Sequence, residues 1–369
     1  MRRLAILSTH PIQYNAPLFR MLHEENGIEL CVFFSKTWDQ VKFDPDFQRE
    51  VVWDIPVSDG YPHSTYDAST KSGKSALKQA ILDFQPDALL VYGWNFPGHL
   101  AMMRAFHGKV PIWFRGDSHL LNPAPFWKRT LRRIALRWVY RHVDMAFPVG
   151  HSNEEYYLWS GLSSDQLIRA PHAVDNEFWT RNDAERAEKA KAWRERLNIP
   201  QDAPVLGFSG KLEPLKQVGP LIQAVMSTRN TYLIIAGSGP LELVLKEQAG
   251  EHNRIHFLGF VNQSEMPVFY RMLDVLALVS YTETWGLCIN EALACGARCL
   301  VSDRVGCHPD VLSVPSRGAK VTWDCPEEWA SAIETLLRLP ARSKSDKEAF
   351  NASFNYEHFH RGIRAAFAS

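Results

Sequence analysis

Short apolar runs rich in β-formers alternate with helical patterns along nearly the whole chain, and they do so twice. Residues 4–8, 29–35, 88–92, 110–115 and 145–149 make the first series. Residues 205–209, 232–236, 255–259, 275–279 and 298–302 make the second. A run of five to seven apolar residues between helices reads as a parallel strand covered on both faces. Two such series predict an α/β chain of two doubly wound, Rossmann-like domains. The length agrees, because 369 residues exceed what one core sustains. The expected division is residues 1–172, residues 173–345, and a closing helical segment 346–369 that returns to the first domain. In doubly wound sheets ligands bind beyond the carboxyl ends of the strands, so two facing sheets predict a cleft between the domains.

Charge and composition narrow the function. Lys and Arg number 41 and Asp and Glu 41, a balance that argues against a dedicated nucleic-acid binder. No apolar stretch approaches the ~18 residues of a membrane span. The apolar run after Met1-Arg2-Arg3 is too short for a signal peptide, so a cytoplasmic protein is expected. The six cysteines form no C-x-x-C pair and read as reduced thiols, with no metal site expected.

The most informative segment is 280–296, SYTETWGLCINEALACG. It follows a strand, and a helix is expected to begin near Trp285. Glu283 then sits in the loop and Glu291 inside the helix. Eight helical residues span about 12 Å, the scale of one nucleotide sugar. Carboxylates accept hydrogen bonds from paired hydroxyls, and the open amides at a helix start hold phosphate. The plainer alternative is that Glu283 complements the helix dipole and Glu291 is a solvated helical glutamate. A second segment, 207–217, reads GFSGKLEPLKQ. Gly210 permits close backbone approach, and Lys211 and Lys216 are placed to converge on a diphosphate. The plainer alternative is two surface lysines.

Together these segments resemble the retaining glycosyltransferases of family four, which have the GT-B fold. Glu283 and Glu291 match its E-x7-E signature, and Gly210-Lys211-Leu212 with Lys216 match its G-[RK]-L-x-x-x-K element. Gly237-Ser238-Gly239-Pro240 matches a G-x-G-P turn, and residues 258–261 an L-G-[FY]-V turn. Pro171-His172-Ala173-Val174-Asp175 matches the hinge-side motif. The resemblance implies that Glu291 binds the donor ribose and Glu283 the donor sugar. It implies that Lys211 and Lys216 clamp the diphosphate, with Gly286 and Leu287 offering amides. Gly210 and Gly237 would be among the donor-binding residues, and Gly259, Phe260 and Val261 would line the base pocket. It further implies transfer with retention, without a metal or other cofactor, from a nucleotide diphosphate sugar to a glycan or lipid-linked acceptor in surface polysaccharide or glycoconjugate synthesis. A nucleotide-sugar epimerase of the same fold and a non-catalytic nucleotide-sugar-binding subunit are the rival readings.

The first half departs from the family pattern. The glycine loop after its first strand is replaced by Thr9-His10-Pro11-Ile12-Gln13-Tyr14-Asn15, which makes His10, Gln13, Tyr14 and Asn15 acceptor-side candidates. Where many members carry a histidine stands Arg115-Gly116-Asp117-Ser118-His119. Arg115, Asp117 and His119 are all candidates for a catalytic role, and each reads equally as plain structure. Asp44-Pro45-Asp46 has the D-x-D form of a metal motif, but its early place and rigid proline make it a loop.

Residues 126–143 carry six cations (Lys128, Arg129, Arg132, Arg133, Arg137, Arg141) and no acid. Phe126, Trp127, Leu131, Ile134, Trp138 and Val139 supply apolar surface. The pattern fits a helix at the inner face of an anionic membrane, and equally a core helix with a solvated basic face.

Overall fold

The computed structural model describes residues 1–37, 42–44, 49–51 and 54–368. The chain divides into two units. Unit 1 holds residues 1–40, 55–172 and 356–369, and unit 2 holds residues 41–54 and 173–355.

Unit 1 is built on β1 (Arg2–Ser8) and β2 (Ile28–Phe34). An antiparallel ribbon that is counted with unit 2 follows in the chain, made of β3 (Lys42–Asp44) and β4 (Arg49–Val51). Asp44 of the D-x-D closes β3, and its Pro45 and Asp46 lie outside the described residues. The sheet continues with β5 (His63–Thr65), β6 (Ala88–Tyr92), β7 (Ile112–Arg115) and β8 (Met145–Ala146). Its order is β5-β2-β1-β6-β7-β8, with every pairing parallel. The central strands are covered on both faces: Leu4, Ala5, Ile6 and Leu7 are all 0% exposed. The helices Lys71–Phe84 and His99–Phe106 bring Leu77, Ile81, Met103 and Phe106 onto the core. Each such side chain contributes about 1.5–3 kcal/mol of burial. The chain's last helix, Tyr356–Ala368, also belongs here. Phe359 packs on Phe147 and Phe367 on Trp113, with ring centroids 5.8 Å and 4.6 Å apart.

The closing segment was expected to return from residue 346, but unit 1 resumes only at Tyr356. The helix Lys344–Ser353 stays with unit 2. Its Asp346 accepts from Arg342 Nε at 2.7 Å and from Arg317 Nε at 3.2 Å.

Unit 2 repeats the architecture with β9 (Val205–Ser209), β10 (Tyr232–Ala236), β11 (Ile255–Gly259), β12 (Val275–Leu278), β13 (Arg298–Ser302) and β14 (Gly318–Val321). The order is β11-β10-β9-β12-β13-β14, again parallel throughout. The strands β5 and β14 do not stand out in the sequence. HST and GAKV are edge strands, half-exposed, so no apolar run marks them. None of the six cysteines is in a disulfide.

Both sheets reverse direction at the same place in their order, between the first and fourth strands of the unit. In such sheets the crevice for a ligand opens at that reversal, beyond the carboxyl ends of the strands. In unit 2 that point lies between the ends of β9 and β12. In unit 1 it lies between Ser8-Thr9-His10 and Tyr92-Gly93-Trp94.

Candidate functional site

The reversal in unit 2 is where the two informative segments of the sequence meet. Beyond β9 the chain turns at Gly210, whose φ of +147° and nearly open Cβ position leave the backbone bare. Gly237 follows β10 with φ +153°, and a Cβ there would stand 1.9 Å from the Gly210 carbonyl oxygen. The loops therefore lock together: Gly210 N–H donates to Ala236 O at 3.0 Å, and Leu212 N–H to Ser238 O at 2.9 Å. Gly237 is thus a packing glycine that fixes the Lys211 loop. Gly237→Ala should cost about 2 kcal/mol or more, because the loops must part and the residue must hold a strained φ. Urea unfolding measures it, and a change under about 0.5 kcal/mol would show that the loops separate freely.

Lys216 closes the short 3-10 turn Pro214–Lys216. The next residue, Gln217, takes the left-handed conformation at φ +54°. Its side-chain amide donates to Val279 O at 2.8 Å and to Trp323 O at 3.0 Å. Tyr281 N–H donates to Leu215 O at 2.8 Å. These bonds tie the lysine turn to the loop beyond β12, and they bring Lys216 Nζ into an ion pair with Glu283. Burial alone would lower the Lys216 pKa, but the Glu283 carboxylate outweighs it and raises it. Neither partner is a solvated surface group: their side chains are 17% and 19% exposed.

The helix was expected from Trp285 but runs Leu287–Cys295. Gly286 precedes it at φ +92°, where a Cβ would meet Leu278 Cδ2 at 2.6 Å. Glu283 lies in extended chain, bridged in parallel to Val305, so the 12 Å helical spacing does not describe it. Trp285 is buried and donates to Asn290 Oδ1 at 2.8 Å, which seats the loop on the helix. Glu291 is inside the helix as expected, but it is 3% exposed, which removes the reading of a solvated glutamate. Its Oε2 accepts from the Tyr270 hydroxyl at 2.5 Å, and the Tyr270 hydroxyl in turn lies 3.1 Å from Ser209 Oγ. Burial, then the Glu291 charge, pushes the Tyr270 phenol well up. Cys288 is also raised, by burial first and then by Glu291 and Glu283. This thiol is electrostatically coupled to both carboxylates.

Tyr270 and Gln217 carry no sequence signal. One is an aromatic in a buried helix, MPVFYR, and the other a polar residue beside a lysine. Gly259 ends β11 at φ +70°, and its carbonyl accepts from Gly237 N–H at 2.7 Å. Phe260 and Val261 follow it, half-buried. Lys211 is half-buried on the loop beside Gly210. A pocket lined by Ala190, Arg194, Asp274 and Leu337 opens at the amino ends of β9 and β12, the far end of the strands from Glu283.

The candidates of unit 1 fall into two groups. Arg115 ends β7 and is 3% exposed. Its Nη1 donates to Ala170 O at 2.8 Å and to Phe147 O at 3.4 Å, and its guanidinium lies 4.7 Å from the Phe359 ring centroid. These contacts make it a brace between the sheet and the last helix. Beyond it, Tyr157 OH donates to Gly116 O at 3.0 Å and Asn153 Nδ2 to Ser118 O at 2.8 Å, so Asp117 and His119 sit in a pinned loop. His119 is 7% exposed, and its Nδ1 accepts from Leu121 N–H at 3.2 Å, which places the proton of the neutral ring on Nε2.

His10, Gln13, Tyr14 and Asn15 occupy the loop beyond β1, at the reversal of this sheet. Tyr14 O accepts from Tyr356 OH at 3.3 Å. Beside that reversal, His99 is buried between Ser35 Oγ and Gly93 O, both 2.8 Å from its ring nitrogens. Burial lowers its pKa to about 4, so it is neutral. It holds the β6 end in place, and nothing in its sequence context marks it.

Among the described residues no group of three His, Cys, Asp or Glu is placed to hold a metal ion. None of their helices is long and apolar enough to cross a membrane.

Residues 189–352 match the family model "Glycosyl transferases group 1". A D-inositol 3-phosphate glycosyltransferase of Corynebacterium glutamicum is 32% identical over 186 residues, which cover 47% of this chain and 44% of that one. The chain thus spans less than half the length of this relative. Two solved structures align over the whole chain, each over 100% of both proteins. A sucrose-phosphate synthase from Thermosynechococcus elongatus is 20% identical with a TM-score of 0.76. HepE of Anabaena, in complex with UDP and glucose, is 16% identical with a TM-score of 0.72. Segment 189–352, which carries Lys211, Lys216, Glu283 and Glu291, is thus similar to the glycosyl transferases group 1 family, and the chain has the GT-B fold.

Proposed function

We propose that this chain is a retaining, metal-independent glycosyltransferase that moves a sugar from a nucleotide diphosphate sugar to a glycan or lipid-linked acceptor. The Lys216–Glu283 pair carries the reading. A half-buried cation held by a carboxylate stands at the strand reversal, beside a nine-residue helix that begins at Leu287. In this reading Lys211, Lys216 and the first amides of that helix receive the diphosphate and its developing charge. Glu291, oriented by Tyr270, accepts from the ribose hydroxyls, and Glu283 faces the sugar. The acceptor oxygen bonds to the anomeric carbon as the bond from that carbon to the diphosphate oxygen breaks. The acceptor proton passes to the leaving phosphate on the same face.

The first test is thermal stability with UDP, GDP and ADP. A ligand at 100 times its Kd adds about 2.7 kcal/mol, and each kcal/mol raises Tm by roughly 2–4 °C at this size. One nucleotide is expected to stabilise the protein, and the shift should vanish in Lys216→Ala. No shift with any of them would refute the donor site. Product NMR then reads the anomer, expected to be retained, in reactions that a chelator leaves unchanged. A donor sugar re-configured without acceptor would instead identify an epimerase.

A further inference from the structure

The basic segment found in the sequence forms the helix Phe126–Tyr140 of unit 1, and only one side of it is used. Leu136, Val139 and Tyr140 are 2–3% exposed and fasten it to the core. The opposite side is apolar as well. Trp127, Leu131, Ile134 and Trp138 are 60%, 60%, 62% and 41% exposed, and Phe126 at the helix start is 84% exposed. At 100° per residue the first four fall within about 60° of arc, facing away from the buried stripe. Scattered exposed apolar residues need no explanation, but an aligned row of large ones marks a binding surface.

The flanks decide what binds. Lys128 lies on one side of the row and Arg137 and Arg141 on the other, while Arg132 and Arg133 sit further round, Arg132 over the Tyr156 ring and Arg133 Nε donating to Trp159 O at 2.9 Å. Among the described residues none of these five, nor Arg129, is in an ion pair with an acid. Lys128 lies over the Trp127 ring, with its amine 5.3 Å from the ring centroid, and Arg141 over Trp138 at 5.5 Å. Their charges are carried beside the apolar row and not neutralised. We infer that this helix is a docking surface for an anionic lipid bilayer. It lies flat, with Trp127, Leu131 and Ile134 entering the acyl boundary and the flanking cations at the headgroups. Its 15 residues would cover about 22 Å of surface. A single-stranded nucleic acid would also engage cations and aromatics, but it has no use for the leucine and isoleucine at the centre of the row.

The test is co-sedimentation of the full chain with vesicles of phosphatidylcholine, alone or mixed with phosphatidylglycerol. Binding is expected only to the mixed vesicles, and it should weaken with salt. Lys128→Gln with Arg141→Gln should weaken it about 25-fold, at roughly fivefold per cation. Leu131→Ser with Ile134→Ser should weaken it by about tenfold or more. All four side chains are exposed, so the melting temperatures of both variants should match the parent, which separates lost docking from lost folding. Failure of the parent to sediment with the mixed vesicles would overturn the proposal. So would binding that ignores Leu131→Ser with Ile134→Ser and is displaced by single-stranded RNA.

Discussion

Lys216→Ala and Glu283→Ala are each expected to lower kcat for sugar transfer at least 10²-fold. A single preorganised electrostatic partner at a developing charge typically contributes 10²–10³ in rate. The two substitutions should differ in stability from the pair removed together. Each single change leaves the other ion largely buried without its counter-charge. Replacing both with apolar residues of similar size, as in Lys216→Met with Glu283→Leu, relieves that penalty. The double variant is therefore expected to unfold closer to the parent than either single variant while remaining inactive. Because the Lys216 pKa is raised, the pair's contribution is fully present below the ordinary lysine range, and it is lost only as pH rises through the raised value. Stability near neutrality should thus show no titration from this lysine. Retention of near-parent activity in both single variants would remove the pair from the site.

Arg115→Leu should act differently. The guanidinium serves two buried carbonyls and one aromatic face. An orphaned buried acceptor costs about 1–3 kcal/mol, and the lost cation–π contact roughly 1 kcal/mol more. A loss of about 4 kcal/mol is therefore expected, seen as earlier melting of unit 1 and release of the helix Tyr356–Ala368. Proteolysis at the C-terminus would report that release. If Arg115→Leu kept parent stability and lost only activity, the brace reading would fall and a catalytic arginine would return.

The residues proposed for the donor side stood out because their spacing is local. Gly210, Lys211 and Lys216 lie within seven residues, and Glu283 and Glu291 within nine. In unit 1 the corresponding loops match the family pattern poorly, so Arg115, Asp117 and His119 stood on equal terms. What distinguishes them is burial against distant partners, and Ala170 and Phe359 are far away in sequence. The same holds for Tyr270, whose hydroxyl reaches Glu291 across a helix–helix contact.

What the sequence by itself determined is the architecture of alternating strands and helices, the place of the glycine turns, and the residue types of the proposed donor site. These follow from backbone conformational limits and from short-range apolar patterning, both of which act within about ten residues. Only the tertiary structure decided that Lys216 pairs with Glu283, that Glu291 is buried under Tyr270, and that Arg115 is a brace. It also decided which side of the basic helix faces the core. Those facts depend on contacts between segments far apart in the chain. There desolvation and shape decide whether the same side chain is a solvated charge, a structural tie or a reactive group.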